Sequence, residues 1–388
     1  MYKKKICFFT STRADYGILR PLIKKIKNDK NFSLQIIASG MHLSPEFGLT
    51  YKEIEKDNFK IDKKIEILLS SDTSIGISKA MGLGIISFSE ALDNLKPDIV
   101  IVLGDRFETL AFAIASYILK IPIAHLYGGE FTFGAIDEAF RHCITKLSFL
   151  HFTSLEYYRQ RIIQLGEEPN RVFTVGALGI DNIKNMKLLS RKEVEKYLGK
   201  KFKKKNLLIT FHPVTLEKDT TEYQLGELLK ALDELENTLL IFTKSNADPS
   251  GRIINEIIEE YYEKNKEKVV LFTNMGQLLY LSTMKYVDAV VGNSSSGIIE
   301  APSFKIGTIN IGDRQKGRVK PESVIDCEPN YKSIKNAITK LYSNEFQNIL
   351  KKVINPYGDG NAADRILNIL KEFNPESLKK EFYVLKNL

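Results

Sequence analysis

Short apolar runs recur along this chain, separated by longer stretches in which apolar positions return every three or four residues. The runs at Ile6–Thr10, Leu34–Ala38, Ile99–Leu103, Ile121–Leu126, His151–Thr153 and Val172–Val175 predict strands. The segments Ile18–Lys27, Ile75–Leu95, Phe107–Leu119, Ile136–Leu147 and Tyr157–Leu165 predict helices. Several runs are continuously hydrophobic and do not alternate, as parallel strands do when helices cover both faces of their sheet. The rhythm breaks over Lys187–Lys205, where Ser190 and Glu193 predict a capped helix ahead of a lysine cluster. It resumes with strands predicted at Leu207–Phe211, Thr238–Phe242, Val269–Phe272, Ala289–Val291 and Thr308–Ile311. The expectation is an α/β chain of two doubly wound domains, residues 1–182 and 183–362, with a helix over 363–388 packing back onto the first. Ligands of such sheets bind beyond the C-terminal strand ends, which places the expected site in a cleft between the domains.

Composition narrows the function. With 388 residues, 43% of them hydrophobic, the chain has enough apolar surface for two cores. Its 56 Lys+Arg against 48 Asp+Glu give a net charge of +8. The excess sits in runs such as Lys3–Lys5 and Lys200–Lys205, without interleaved aromatics. That argues against a nucleic-acid partner, while a positive field suits an anionic small substrate. Cys7, Cys143 and Cys327 form no CxxC pair, so neither a zinc site nor a disulfide framework is expected. The start, MYKKKICFFTSTRADYG, turns polar too soon for a signal peptide. The apolar stretch Leu110–Leu119 is too short to span a bilayer. A cytoplasmic protein with no membrane contact is the expectation. GxxxxGK[ST], a GxGxxG after the first strand, HExxH and GxSxG are all missing. Their absence argues against a Walker-type NTPase, a dinucleotide dehydrogenase, a zinc protease and a serine hydrolase of the elbow type. No cofactor or metal is expected.

The polar residues that could carry chemistry cluster at strand ends. Val290–Pro302, VVGNSSSGIIEAP, reads as strand, small polar turn and helix. Ser294, Ser295, Ser296 and Gly297 would turn hydroxyls and N–H groups onto an anion, and the helix dipole would add to the attraction. An ordinary N-cap cluster uses the same residue types. Arg13 follows the first strand where a helix begins, a place that opposes a cation and so suggests an anion nearby. Asp105, in Gly104-Asp105-Arg106, is either an N-cap or a catalytic group presented by its strand. The densest constellation follows Leu126: Tyr127, Gly128, Gly129, Glu130, then Asp137, Glu138, Arg141 and His142. The helix would set Asp137 or Glu138 beside Arg141 and His142 on one face. Carboxylates sharing one Arg and one His can hold different pKa values, as acid and base work requires. His212, fixed by Pro213, is expected to face the cleft, and His42 is a further strand-end candidate. His125 and His151 read as core.

TSTRADYG, ASGMHLS, GDRFE, GGE followed by GAIDEAFRH, FHPVT and GNSSSGIIEAPSF occur in this order over Lys5–Arg318. Together they resemble the hydrolysing branch of the UDP-N-acetylglucosamine 2-epimerase family. The resemblance implies two Rossmann-like domains in the GT-B architecture. It also implies anti elimination of a nucleoside diphosphate across C1–C2, a bound 2-acetamidoglycal, and its hydration to a free manno-configured sugar. By the same resemblance Asp105 is the strand-end catalytic Asp, Asp137 with adjacent Glu138 the helix-start acid, and His212 the partner of the departing phosphate. Arg13 is then a diphosphate ligand, Ser294–Ser296 the phosphate loop and Glu300 the ribose-binding carboxylate. Arg106, Arg141 and His142, from the same motifs, and Arg314, in the later stretch GDRQKGR, join the expected substrate contacts. The family commonly has Glu where this chain has Tyr127, so Glu130, Asp137 or the Tyr127 phenol takes the vacated role. GAIDEAFRHCITKL, FTVGALGIDNI and SFKIGTINIGDRQKGR are more similar to a subgroup acting on GDP- or UDP-linked N,N'-diacetylbacillosamine for legionaminic acid synthesis. UDP-N-acetylglucosamine is the runner-up substrate. A GT-B glycosyltransferase, a non-hydrolysing epimerase and a non-catalytic sensor are the alternatives, and a homodimer or higher homo-oligomer is implied. Loops near Thr243–Ser250 and Phe272–Gly276 are expected to choose between guanine and uracil.

Overall fold

Alternate residues of the first strand serve two different cores. Ile6 and Phe8 pack into one fully buried cluster with Leu19, Leu22 and Ile366, while Cys7 and Phe9 enter another with Phe88, Val100 and Phe112. A strand buried on both faces has no polar position to spare, which is why its sequence does not alternate. The computed structural model describes residues 2–69, 73–133, 135–213, 220–245, 251–375 and 377–385.

The chain forms two units. The first comprises Met1–Glu130, Asp137–Asn185 and Tyr357–Leu388. The second comprises Phe131–Ile136 and Met186–Pro356. In chain order the first unit holds β1 (Lys4–Thr10), α1 (Arg13–Asn28), β2 (Phe32–Ser39), α2 (Tyr51–Lys56), β3 (Lys63–Ile65), α3 (Ser74–Leu95), β4 (Ile99–Leu103), α4 (Phe107–Ile118), β5 (Ile123–Leu126), α5 (Asp137–Leu147), β6 (Leu150–Thr153), α6 (Glu156–Gln164), β7 (Val172–Thr174) and α7 (Leu178–Asn185). The second holds α8 (Arg191–Leu198), β8 (Lys205–Thr210), α9 (Thr221–Asp233), β9 (Thr238–Thr243), α10 (Gly251–Lys264), β10 (Val269–Phe272), α11 (Gly276–Met284), β11 (Ala289–Gly292), α12 (Ser296–Ile299), β12 (Gly307–Ile311), β13 (Val324–Cys327), α13 (Tyr331–Leu341) and α14 (Asn344–Lys352). Helix α15 (Ala362–Glu372) returns to the first unit.

Each sheet is parallel and doubly wound, as expected. The first runs β3-β2-β1-β4-β5-β6-β7 and the second β10-β9-β8-β11-β12-β13. The strand order reverses direction between β1 and β4 in one and between β8 and β11 in the other. These are the two positions where such sheets open a crevice beyond their C-terminal ends.

Three expectations about elements need correction. Strands β3 and β13 were not anticipated, because each is a short sheet edge carrying charge and needs little apolar sequence. Strand β5 starts at Ile123 rather than Ile121, since Pro122 has no N–H to give a ladder. The C-terminal helix stops at Glu372, ahead of Pro375, which disfavours helical backbone in the residue before it. Helix α15 itself packs on α1 and α7. Both Asp181 oxygens accept from its first-turn N–H groups, Ala362 at 3.0 Å and Ala363 at 2.7 Å. Helix α3 is by length and composition apolar enough to cross a membrane, but Ile77, Ala80, Phe88, Ala91 and Leu92 along it are buried in the first unit.

Beyond α15 the chain docks without regular structure. Tyr383 N–H donates to the Gly166 carbonyl at 2.9 Å, and Lys380 reaches Glu167 at 2.8 Å. Burial works against the charge of Glu167, but His151, Lys146 and Lys380 outweigh it and hold its pKa down to about 2. A carboxylate depressed below its unfolded value stabilises the fold at higher pH and loses that contribution as pH falls through the folded value. The tail is therefore expected to loosen between about pH 4 and pH 2. Hydrogen exchange at Tyr383 should rise in that window, and Glu167→Gln should show the fast exchange already at pH 7.

Candidate functional site

In the first unit the end of β4 is built to present one carboxylate. Gly104 turns the chain with φ +79°, its N–H bonded to the Leu126 carbonyl, and Asp105 follows. His125, on neighbouring β5, is fully buried and bonds the Gly104 carbonyl through Nε2 at 2.8 Å. A carbonyl only accepts, so the ring proton is on Nε2, and Nδ1 accepts from the Thr145 hydroxyl at 3.2 Å. Burial presses the His125 pKa down to about 3, which keeps the ring neutral. His125 is core, as expected, but core that braces the Asp105 turn.

Arg141 on α5 is the centre of the arrangement. Its guanidinium pairs with Asp105 Oδ2, lies 3.4 Å from the Tyr127 carbonyl and stands 4.0 Å from Glu130 Oε2. Arg141 is 2% exposed and Glu130 1%. Glu130 also accepts from the Ser154 hydroxyl at 2.7 Å. The turn that carries it is forced. A Cβ on Gly129, at φ +77°, would lie 2.4 Å from the Tyr158 carbonyl oxygen. Tyr127 has φ +65°, a region an aromatic residue seldom occupies outside constrained sites. Its phenol oxygen accepts from the Gly179 N–H at 3.3 Å.

The expectation that Asp137 or Glu138 would share a face with both Arg141 and His142 resolves differently. Glu138 lies 3.4 Å from His142 Nε2 and 3.4 Å from Arg161, while Arg141 turns to Asp105 and Glu130. Asp137 is the first residue of α5. Arg161 also donates to the Glu130 carbonyl at 3.0 Å, so the Glu138 group supports the Gly129–Glu130 turn.

At the end of β1, Arg13 is the first residue of α1, whose N-cap Thr12 and Asp15 form a capping box. His42 is wholly buried there. Its Nε2 is 2.9 Å from Thr10 Oγ1 and its Nδ1 2.8 Å from Thr50 Oγ1. Both ring nitrogens are engaged by protein, and burial lowers its pKa. His42, expected among the substrate contacts, braces this turn through both ring nitrogens. Arg106 is held by Glu108 at 3.1 and 3.3 Å. Burial raises the pKa of Glu108, against the pull of Arg106. Glu108 lies in the first turn of α4 and is wholly buried, which its sequence context did not signal.

The second unit's strand ends are tied by a residue that sequence reasoning passed over. Asn293, after β11, accepts from the His212 N–H at 2.7 Å and donates to the His212 carbonyl at 2.8 Å. Its own carbonyl accepts from Arg314 at 3.1 Å and Gln315 at 2.8 Å. His212 Nδ1 lies 3.2 Å from the Ser245 hydroxyl. Strand ends β8 and β11 and the Arg314 turn thus meet at one asparagine. The only signal was its place in Gly292-Asn293-Ser294, where Asn also reads as a turn former.

Ser294 and Ser295 precede α12, and Ser296 and Gly297 open it. The helix is four residues long, because Glu300 passes into a 3-10 turn led by Ala301 and Pro302. The expected helix carrying Glu300 is therefore a single turn, and its dipole contributes little. The loop keeps its shape by close approach. A Cβ on Gly297 would lie 2.6 Å from Thr308 Cγ2, and Thr308 donates to the Gly297 carbonyl at 2.5 Å. Glu300 is 8% exposed. Val214, Thr215, Gly134 and residues 246–250, which were part of the sequence reading, lie outside the described residues.

A family profile described as UDP-N-acetylglucosamine 2-epimerase matches residues 24–371. The chain is similar to the GDP/UDP-N,N'-diacetylbacillosamine 2-epimerase (hydrolyzing) of Campylobacter jejuni, with 53% identity over 89% of this chain and 90% of that protein. It is also similar to the UDP-N,N'-diacetylbacillosamine 2-epimerase (hydrolyzing) of Legionella pneumophila, with 36% identity over 95% and 96%. Among solved structures, the UDP-GlcNAc 2-epimerase of Neisseria meningitidis bound to UDP-GlcNAc superposes with a TM-score of 0.78 at 18% identity. That match covers 95% of this chain and 100% of the other, and shows the shared GT-B-like fold.

Proposed function

The chain belongs to the UDP-N-acetylglucosamine 2-epimerase family, in its hydrolysing branch, and from that premise we propose that it converts a GDP- or UDP-linked N,N'-diacetylbacillosamine to the free 2-epimer plus nucleoside diphosphate. The observation that carries this reading is the pairing of Asp105 and Glu130 with one buried guanidinium beyond the ends of β4 and β5. Eliminating phosphate across C1–C2 and rehydrating the glycal needs a base on one face of C2 and an acid on the other. Two carboxylates fixed from different strand ends supply such a pair. In this reading Asp105 takes the C2 proton. Glu130 fills the role left by Tyr127, whose phenol is occupied by the Gly179 N–H and serves to hold the turn. Asp137 and Glu138 stand behind them at the start of α5.

The second unit supplies diphosphate and ribose contacts. His212 meets the departing phosphate, Ser294–Ser296 and Gly297 cradle it with Arg314, and Glu300 takes the ribose hydroxyls. Arg106, Arg141 and His142 line the sugar side. The relatives named for diacetylbacillosamine support the trideoxy sugar over N-acetylglucosamine, and a nonulosonic acid route is the consumer this reading implies. A cytoplasmic place, where nucleotide sugars would meet it, completes the reading.

Incubation with GDP- and UDP-N,N'-diacetylbacillosamine and UDP-N-acetylglucosamine side by side, with products resolved by NMR, tests it. Release of free 2-epimer and nucleoside diphosphate from the diacetamido substrate is expected. Turnover of UDP-N-acetylglucosamine alone removes the substrate assignment. Nucleotide sugar returned intact, as the epimer, removes hydrolysis. Glu300→Ala is expected to raise KM by about 10-fold to 100-fold with kcat little changed, the cost of a charge-assisted hydrogen bond made equally in ground and transition states. Steady-state kinetics reads it directly.

A further inference from the structure

Two helices of the first unit hold Glu130. Helix α6 carries Arg161, which donates to the carbonyls of Gly129 and Glu130, and the Tyr158 carbonyl of the same helix closes on Gly129. Helix α5 carries Arg141, whose guanidinium stands 4.0 Å from Glu130 Oε2. The Glu130 carboxylate is therefore only as well placed as α5 and α6 are fixed against each other.

The C-terminal ends of these helices are joined by one residue of the tail, Lys380. Its ammonium donates to the Lys146 carbonyl at 2.8 Å and the Ser148 carbonyl at 2.6 Å, at the end of α5. It also donates to Glu167 Oε2 at 2.8 Å, just past the end of α6. Its three protons thus meet three acceptors. The last carbonyls of a helix lack partners within it and favour a cation. Lys146 closes the same joint from α5, donating to the Leu165 carbonyl at 3.1 Å and to Glu167 Oε1 at 2.5 Å. Glu167 Oε2 also lies 3.1 Å from Nε2 of the wholly buried His151 on β6. One buried carboxylate so ties α5, β6 and the tail to the end of α6.

The rest of the tail follows α6. Tyr383 and Leu385 pack on Ile162 and Ile163, and the Phe382 ring lies so close to Gly166 that a Cβ there would come within 2.3 Å of it. Yet Leu378, Phe382 and Val384 are 39%, 68% and 66% exposed. A segment that leaves three bulky apolar side chains in water gains little from burial. A buried ion pair is likewise a weak source of net stability. What this one does is hold a single arrangement of α5 against α6.

We propose that Lys380 is a positioning residue for the reaction: through Glu167 and the last carbonyls of α5 it locks α5 to α6 and so aims Glu130 at the sugar. The proposal rests on the acid–base role given to Glu130 above.

Steady-state kinetics of the full chain on the nucleotide sugar it turns over, with calorimetric titration of UDP and GDP, tests it. Lys380→Met keeps the stem and removes the charge. It should lower kcat about 10-fold to 100-fold, the scale of a small misplacement of a reacting group, with nucleotide affinity within about twofold and an unchanged circular dichroism spectrum. Lys380→Arg, which restores charge and donors, should recover kcat to within about threefold of wild type. Glu167→Gln keeps the shape of its side chain and carries the same expectation as Lys380→Met, so a folding failure of one variant does not leave the question open. In a Glu130→Gln background the Lys380→Met penalty should shrink to about threefold or less, because residues acting through one group are not additive. Wild-type kcat in the folded Lys380→Met or Glu167→Gln variant, or losses that multiply in the double variant, would overturn the positioning role while Glu130→Gln alone stayed slow. A Glu130→Gln enzyme of normal kcat would instead remove the role of Glu130 itself, and this proposal with it.

Discussion

Asp105→Asn is expected to lower kcat by about 10³-fold while UDP or GDP affinity stays within about threefold, because a lost base costs the transition state far more than the ground state. The substitution is close to isosteric, and the amide oxygen can still accept from Arg141, so the turn at Gly104 should survive. Rapid-quench kinetics with calorimetric nucleotide titration separates the two quantities. Exchange of the C2 proton with deuterated solvent gives a further reading, since it requires removal of that proton and should vanish with turnover. Near-normal kcat in this variant would move the base elsewhere, with Glu130 the next residue to replace.

The second large effect is on stability. Gly292 has φ +128°, and a Cβ there would lie 2.0 Å from the Thr210 carbonyl oxygen. The obstacle is backbone of the neighbouring strand β8, which cannot swing aside as a side chain would. Gly292→Ala must open the β8–β11 pairing or give up the turn into Asn293, and with it the clasp on His212. A loss of about 3 kcal/mol or more is expected, from forced backbone together with disrupted packing. Denaturant titration should show it, with nucleotide affinity falling in parallel. Gly226→Ala is the matched control. That glycine lies within α9 with nothing within 4 Å of its would-be Cβ, so alanine should be neutral or stabilising by up to about 1 kcal/mol.

Sequence carried the fold because the strands are buried on two faces, and a run such as Ile99–Leu103 admits few other readings. The edges β3 and β13 were hidden for the converse reason: one covered face needs few apolar letters. For the site, single residues were legible and their pairings were not. Asp105 and Arg141 could each be named, but their ion pair joins positions 36 apart and depends on α5 returning beside β4. The same gap explains Glu138, whose neighbour on the helix face proved to be His142 while Arg161 came from another element. Asn293 and Glu108 were missed because their local contexts, a polar turn and a helix start, already account for those residue types. Burial alone distinguishes them, and burial is a property of the finished fold.

The segment Tyr357–Leu388 completes the unit with which the chain begins, although all but six residues of the other unit lie between. During synthesis, then, the second sheet can close while the first still lacks α15 and the docked tail. Until release from the ribosome, Leu19, Leu22 and Ile23 on α1 wait with part of their covering absent. A bulky fusion or a deletion at the C-terminus should therefore injure the part of the protein made earliest. Chaperone dependence in the nascent chain should track the N-terminal half.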